Sequence, residues 1–340
     1  MTTLLKLLEY VWPGDRLLRL GIRQLNRQRL RQLEASGLEA AVARQSLLRE
    51  QMRRSPRALA TLEANQQHYE VPARFYELVL GPNLKYSCAL FSEGCSDLAQ
   101  AEAAMLELYL ERAQVEDGQR ILDLGCGWGS LSLFLARRFP NCQIVGISNS
   151  HSQRQFILSQ GLPNLEIRTC DINQLELPEN AFDRILSIEM LEHVRNYASV
   201  FELLHSALRP SGKLFTHVFA HRQWAYTFDP SDSPWDWMER EFFTGGTMPS
   251  LGLLDHFSGS LVLEQEWAVN GCHYQKTAEA WLQRYRAQAG PIQELFRQTY
   301  GRLWRRYWVA WQLFFLAVAE LFGHQRGEQW LVSHTRWSKP

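Results

Sequence analysis

"RILDLGCGWGSLSLFLARRF", residues 120 to 139, joins two periodicities through a run of glycines. Its first six residues, 120 to 125, read as a short apolar strand, and 130 to 139 as a helix. Asp123, Gly125, Gly127 and Gly129 lie between them in the pattern D-x-G-x-G-x-G. Glycines at such a junction let the backbone turn sharply and approach a ligand, whose anionic end the helix N-terminus attracts. A nicotinamide fingerprint, G-x-G-x-x-G, fails because Ser130 stands where its third glycine belongs. The plainer alternative is a turn needed only for packing.

Outward from this junction, strands alternate with helices. "QIVGIS" (143 to 148), "LEIRTCD" (165 to 171), "FDRILSIE" (182 to 189) and "KLFTHVF" (213 to 219) read as strands. "SQRQFILSQ" (152 to 160) reads as a helix between two of them. The fold class predicted is α/β: a Rossmann-like, doubly wound parallel sheet with ligands at the carboxyl ends of its strands. Residues 222 to 257, aromatic and rich in Gly, Pro and Asp, suit a lid. A strand (260 to 269), helices over 277 to 289 and 291 to 322, and a strand over 328 to 337 follow. The apolar run from Trp308 to Phe322 is shorter than the ~20 residues a bilayer span needs. The organisation expected is a helical extension (1 to 64), a covering segment (65 to 118), the sheet core (119 to 221) and a cap with the last strands (222 to 340).

Equal numbers of basic and acidic residues, 36 each, conceal an asymmetry. Residues 1 to 60 hold 12 Lys/Arg against 5 Asp/Glu, leaving 24 against 31 for the rest. After Pro13-Gly14-Asp15, a break and a cap, Leu18, Ile22, Leu25 and Leu33 recur at helical spacing beside a stripe of Arg16, Arg19, Arg23 and Arg27. Such a basic helix either lies on an anionic membrane or packs on its own acidic body. Residues 37 to 64 read as helical, 69 to 91 as a loop-rich aromatic stretch, and Asp97 as the cap of a helix through Ala113. Six scattered cysteines without a CxxC pair exclude a zinc framework. With no signal-peptide pattern at the N-terminus, a cytoplasmic protein with reduced thiols is expected. No nucleic-acid partner is expected.

"SIEMLEHV" (187 to 194) brings Glu189, Glu192 and His193 to the end of a strand. Two carboxylates and an imidazole there suit proton transfer, since burial beside a second acid raises a carboxyl pKa toward neutrality. The bland reading is an acidic first turn stabilising a helix, with His193 as packing. The order is not H-E-x-x-H, and no metal is expected.

The glycine loop resembles the first motif of class I S-adenosyl-L-methionine methyltransferases. The likeness extends further. "LKYSC" (84 to 88), "SNSHSQRQFI" (148 to 157), "IEMLEHVRNY" (188 to 197), "GTM" (246 to 248) and "GEQWLVSH" (327 to 334) resemble the coclaurine N-methyltransferases, within the cyclopropane-fatty-acid synthase superfamily. That resemblance implies S-adenosyl-L-methionine as cofactor, S-adenosyl-L-homocysteine as product, and N-methylation of a small amine. Tyr86, Ser87, Asp123, Gly125, Gly127 and Gly129 would hold the methionine end. Asp171 and Ile172 would meet the adenine. Asn149 and Gln153 would meet the ribose, where most such enzymes carry an acid. Glu189, Glu192 and His193 would line the substrate pocket, with Glu192 and His193 nearest the nitrogen, and Cys88, His217, Tyr226 and Trp308 around them. The lid aromatics Trp224, Tyr226, Phe228, Trp235, Trp237, Phe242 and Phe243 suit a cationic or flat substrate.

The alternative within the superfamily is lipid chemistry, methylenation of an acyl double bond at a membrane surface with a bound bicarbonate as base. Cys88, Glu192 and His217 match that bicarbonate site, whereas "WQLFF" (311 to 315) offers no counterpart of its helical tyrosine and Arg195 replaces a glycine. A third reading is a cofactor-binding protein without catalysis. The partners expected are an amine or an acyl chain, peripheral membrane contact through the basic helix, and a second copy in a homodimer.

Overall fold

A computed structural model of the chain describes residues 3–34, 37–59, 71–229 and 237–340. Among these, the N-terminal arm comprises α1 (Thr3–Leu8), α2 (Asp15–Glu34) and α3 (Gly37–Arg54). The covering segment holds α4 (Ala73–Val79) and α5 (Leu98–Ala113). The alternating core runs β1 (Arg120–Leu124), α6 (Ser130–Arg138), β2 (Gln143–Ser148), α7 (His151–Leu158), β3 (Leu165–Thr169), β4 (Phe182–Ile188), α8 (Tyr197–Ala207) and β5 (Leu208–His221). The lid carries β6 (Tyr226–Thr227), α9 (Trp237–Glu241) and β7 (Thr247–Met248). β8 (Val262–Val269), α10 (Cys272–Ala287), α11 (Ala289–Tyr300), α12 (Trp304–Phe322) and β9 (Trp330–Ser338) follow.

Seven strands form one sheet in the order β3-β2-β1-β4-β5-β9-β8. The first five are mutually parallel, as the alternation requires. β9, from the segment after the alternating series, is antiparallel to both β5 and β8, so the sheet as a whole is mixed. Strand direction is not written in a short apolar run; it is set by how α10 to α12 carry the chain back between two strands already placed. Apolar cores cover both faces. Tyr109, Leu135, Ile157 and Trp281 pack on one, and Met52, Phe201, Leu204 and Trp337 on the other.

Two helix expectations also change. The single helix over 291 to 322 is two, because Gly301 adopts φ +54 and ψ −120 between α11 and α12. The stretch 69 to 91 contains α4, whose Phe75, Tyr76, Leu78 and Val79 are buried, so packing overrides its loop-like composition. The helix expected over 37 to 64 ends at Arg54, and residues 60 to 64, like Trp235, lie outside the described residues.

The basic helix packs on its own protein at two of the four arginines of its stripe. Arg19 donates to Glu279 and Glu320, and Arg23 to Glu320. Asn26 Nδ2 adds a bond to the Glu320 carbonyl at 3.1 Å, joining α2 to α12. Arg16 and Arg27 remain exposed.

Candidate active site

The chain runs outward from β1 through β2 to β3 and then returns to β4 beside β1. Loops leaving β1 and β4 therefore diverge around a crevice, where ligands bind in open α/β sheets. The β1 loop carries the glycines, with φ +88 at Gly125, +51 at Gly127 and +84 at Gly129. A Cβ on Gly125 would lie 2.4 Å from Met190 Cγ, and one on Gly129 2.7 Å from Ile157 Cγ1. A Cβ on Gly127 would meet no protein atom within 4 Å. Two glycines thus serve close packing, while the middle one opens on the cavity. Asp123, buried, accepts from Ser132 Oγ at 2.6 Å, and burial pushes its carboxyl up to about 6.

Two cavities of about 760 and 890 Å³ adjoin here, sharing Gly125, Gly127, Gln153, Glu189 and His193 along their border. The first is lined by Asn149, Cys170, Ile172 and Met190. Gln153 Oε1 accepts from Ser148 Oγ at 2.7 Å, whereas its buried Nε2 has no hydrogen-bond partner. An unsatisfied buried donor at a cavity wall is a place for a ligand hydroxyl. Asp171, between two lining residues, accepts from the Asn173 N–H at 2.8 Å. The second cavity is lined by Tyr86, Ser87, Asp123, Phe219, Phe243 and Tyr274 among others.

Glu189 stands at the end of β4 with φ +47, a left-handed conformation that costs a residue with a side chain roughly 1–2 kcal/mol. Its own N–H donates to the His217 carbonyl at 2.8 Å. Oε1 accepts from the Cys88 N–H at 2.8 Å and from His217 Nε2 at 3.0 Å, and Oε2 accepts from Tyr274 OH at 2.6 Å. A carboxylate has about four acceptor sites, so one on Oε2 remains. Burial raises the Glu189 pKa to about 6 against the opposing pull of Lys85, Tyr274 and the Cys88 N–H.

Glu192 follows in a single 3-10 turn, Leu191–His193. It is fully buried behind the cavity wall: Oε1 accepts from the Phe219 N–H at 2.7 Å, and Oε2 has no partner. Burial first, then the neighbouring Glu189, lifts its pKa well above the carboxylate range. Two close carboxyls cannot both ionise in a dry site, and Glu189, with three donors, is the one that holds the charge. His193 lines both cavities and stacks on Phe243, ring centres 5.8 Å apart. Of the three residues expected at the substrate, Glu189 and His193 reach the cavity, and Glu192 stands one layer back.

Cys88 and His217 act from behind the wall rather than on it, the first through its backbone N–H and the second through Nε2. Tyr226 lies elsewhere, under Arg29 and bonded to Trp330 Nε1. Trp308 stacks on Tyr285 at 4.4 Å, away from both cavities. In both, the ring packs against its neighbours. Of the lid aromatics, Phe243 alone among the described ones lines either cavity, and it lines the second.

Four residues escaped the sequence reading. Lys85, fully buried, donates to Ser87 Oγ and the Cys88 carbonyl, and burial lowers its pKa to about 8. Tyr109 OH and His334 Nε2 each lie 2.8 Å from His217 Nδ1. Tyr274 is a helical tyrosine at the acid cluster, reached from α10 and not from the α12 stretch in which one was sought. For the three on helices and strands the only signal in the sequence was a polar residue on an apolar face, and Lys85 lies in a loop, with no such face.

The described residues hold no group of three metal-ligating side chains and no helix long and apolar enough to cross a membrane. The strand order, the glycine loop and the unsatisfied Gln153 donor at the cavity wall together define a class I S-adenosyl-L-methionine-dependent methyltransferase. Residues 57–320 match the mycolic acid cyclopropane synthetase family, and the chain belongs to it. The chain is 35% identical to (S)-coclaurine N-methyltransferase of Thalictrum flavum subsp. glaucum over 99% of this chain and 95% of that one. It is 27% identical to the cyclopropane-fatty-acyl-phospholipid synthase of Escherichia coli (strain K12), over 71% of this chain and 61% of that one. A crystal structure of coclaurine N-methyltransferase with N-methylheliamine and S-adenosylhomocysteine superposes with TM-score 0.90, at 32% identity, over 99% of this chain and 98% of that one.

Proposed function

We propose that this methyltransferase methylates the nitrogen of a small amine. The observation that carries this reading is what occupies the anion-holding donors. Cys88 and His217 match the bicarbonate site of the cyclopropane synthases, and here both donate to the chain's own Glu189 carboxylate. An internal carboxylate takes the place that a dissolved base would need, and sits where an amine can reach it.

The cofactor, when bound, supplies a methyl group on a sulfonium. Gln153 Nε2 and Asn149 would meet its ribose, the backbone around Gly127 its methionine portion, and Ile172 its adenine. Glu189 Oε2 offers its remaining lone pair to a substrate N–H, orienting the nitrogen and accepting its proton. Above about pH 6 it is ionised and ready to do so. Phe219, Phe243 and Phe314 wall the second cavity, excluding water and presenting ring faces to a cation. Glu192, neutral behind Glu189, supports the wall through the Phe219 N–H. The test is incubation with labelled S-adenosylmethionine, a panel of amines and unsaturated phospholipid vesicles, in bicarbonate-free buffer. Label in an amine is expected. A one-carbon mass gain in acyl chains without amine labelling overturns the reading.

A peripheral membrane contact is also proposed for the N-terminal arm. Eight of the twelve large apolar side chains exposed among the described residues lie in it: Leu7, Tyr10, Val11, Leu17, Leu20, Leu38, Val42 and Leu47. Exposed Arg16, Arg27 and Arg31 share α2 with two of them, the pairing of apolar and basic groups that suits an anionic interface. Flotation with anionic vesicles, abolished by Leu17→Glu with Leu20→Glu, is expected. A homodimer in solution that the same substitutions dissolve, without flotation, assigns the surface to a second copy instead.

A further inference from the structure

We infer that Arg112 and His334 are positioning residues that fix the tautomer of His217 and thereby keep Glu189 an acceptor turned toward the substrate. The inference rests on the reading of Glu189 as the group that receives the amine proton.

The chain of contacts has a direction. Arg112 Nη1 lies 2.7 Å from His334 Nδ1. A guanidinium only donates, so Nδ1 accepts, and a neutral His334 carries its hydrogen on Nε2. That Nε2 faces His217 Nδ1 at 2.8 Å, across the β5–β9 register that pairs the two residues. His217 Nδ1 therefore accepts as well, and its hydrogen sits on Nε2, 3.0 Å from Glu189 Oε1. Tyr109 OH lies 2.8 Å from the same Nδ1, whose one lone pair the His334 N–H already takes, so the choice of tautomer rests on His334. The opposite arrangement would set two N–H groups against each other at 2.8 Å between the rings. Both histidines are fully buried, and burial holds both well below the usual imidazole range, so neither takes up a second proton near neutrality.

The consequence falls on Glu189. Its Oε1 is bounded by hydrogens on the Cys88 N and His217 Nε2, so a proton from substrate arrives at Oε2 and has no route onward through His217. The groups facing Glu189 are Lys85 and Cys88 from the segment before α5, Tyr109 from α5, Glu192 and His193 from its own turn, His217 from β5 and Tyr274 from α10. Of the two imidazoles among these, His217 is the one bonded to the Glu189 carboxylate, and His334 meets its other nitrogen.

The test compares His334→Phe, which cannot donate, with His334→Gln, whose amide can accept from Arg112 and donate to His217. The readout is the acid limb of kcat/KM for methyl transfer. Losing an N–H donor weakens the ionised form of a carboxylate, so His334→Phe is expected to move the limb up by roughly one pH unit, and His334→Gln to keep it near wild type. Nitrogen-15 histidine NMR of the wild-type protein is expected to show His217 as the Nε2–H tautomer, a measurement that does not depend on a variant folding. An Nδ1–H His217, an unmoved limb in His334→Phe, or an equal shift in both variants overturns the inference. Glu189→Gln is the separate control: if it keeps wild-type turnover and pH profile, the reading of Glu189 fails, while the NMR result still decides the tautomer.

Discussion

The Glu189 carboxylate accepts the Cys88 backbone N–H at 2.8 Å, although the two residues are 101 positions apart. That bond anchors the acid on a segment outside the sheet, and the His217 and Tyr274 donors complete its socket. Removing the side chain should leave the socket with donors and no acceptor. Glu189→Gly, which also relieves the positive φ, is expected to lower turnover by about 100-fold or more while cofactor binding persists. Added formate or bicarbonate should restore part of the rate by occupying the same donors. Full activity without added anion would show that the carboxylate is not the proton acceptor.

Glu192 and Glu189 should respond differently to the same change. A neutral Glu192 already resembles glutamine, and Glu192→Gln keeps an acceptor for the Phe219 N–H. Its turnover is expected to stay within about tenfold of wild type, against the ~100-fold loss of a missing base in Glu189→Gln. Steady-state kinetics on the two variants checks this ordering, and the reverse order would make Glu192 the charged partner.

The raised pKa of Glu189, about 6 against an ordinary 4.5, predicts two opposite pH effects. Activity needs the ionised form, so kcat/KM should climb through about pH 6 and level above it. Stability goes the other way. Between 4.5 and about 6 the folded state holds the proton more tightly than the unfolded chain, so this group's contribution falls as pH rises through that window. Denaturant titrations of wild type and Glu189→Gln isolate it: the stability of wild type relative to the variant should decline from pH 4.5 to pH 6 and be flat beyond.

Gly125 and Gly127 should separate folding from cofactor binding. A methyl on Gly125 meets Met190 at 2.4 Å, so Gly125→Ala is expected to lower thermal stability strongly. A larger side chain at Gly127 enters the cavity instead, so Gly127→Val should remove most S-adenosylhomocysteine binding by calorimetry, with its stability loss near the roughly 1–2 kcal/mol of the left-handed backbone. Gln153→Leu, losing the unsatisfied Nε2, should weaken the same binding by about tenfold, the worth of one buried hydrogen bond.

Glu320 joins the arm to the body, being largely buried and held by Arg19 and Arg23. Glu320→Gln keeps the shape and removes the charge, leaving Arg23 without its acid and Arg19 with Glu279 alone. A destabilisation of roughly 2 kcal/mol is expected, with faster hydrogen exchange along α2. Unchanged exchange there would mean that the apolar face of α2 suffices to hold it.

The glycine loop, the strand alternation and the acid cluster were legible because each is local. A turn with φ above zero needs glycine, and a crossover helix needs its period within one short segment. Ile121 and Leu122 in β1 and Leu131 and Leu135 in α6 are buried where period and length require. What the sequence did not disclose depends on segments far apart. Tyr274 and His334 reach Glu189 and His217 across 85 and 117 positions, and no spacing rule connects them. The same holds for the ranking of the two glutamates. Their chemistry in sequence is identical, and only the three donors around Glu189 make it the anion. Tyr226 and Trp308 show the converse, since an aromatic residue reads alike whether it lines a pocket or fills a core.

The register that sets His334 against His217 also dictates an order of assembly. The nucleoside half of the crevice draws mostly on neighbouring segments, β1 through the turn after β4, whose contacts close over short stretches of chain, with Ala58 and Thr244 added from outside them. The acid half must gather the Cys88 segment, β5, α10 and β9. Pairings across long separations form slowly, because the intervening chain loses its freedom before any contact repays it. On refolding from denaturant, affinity for adenosine should therefore return ahead of catalytic turnover, and the interval between them times the docking of the final strand.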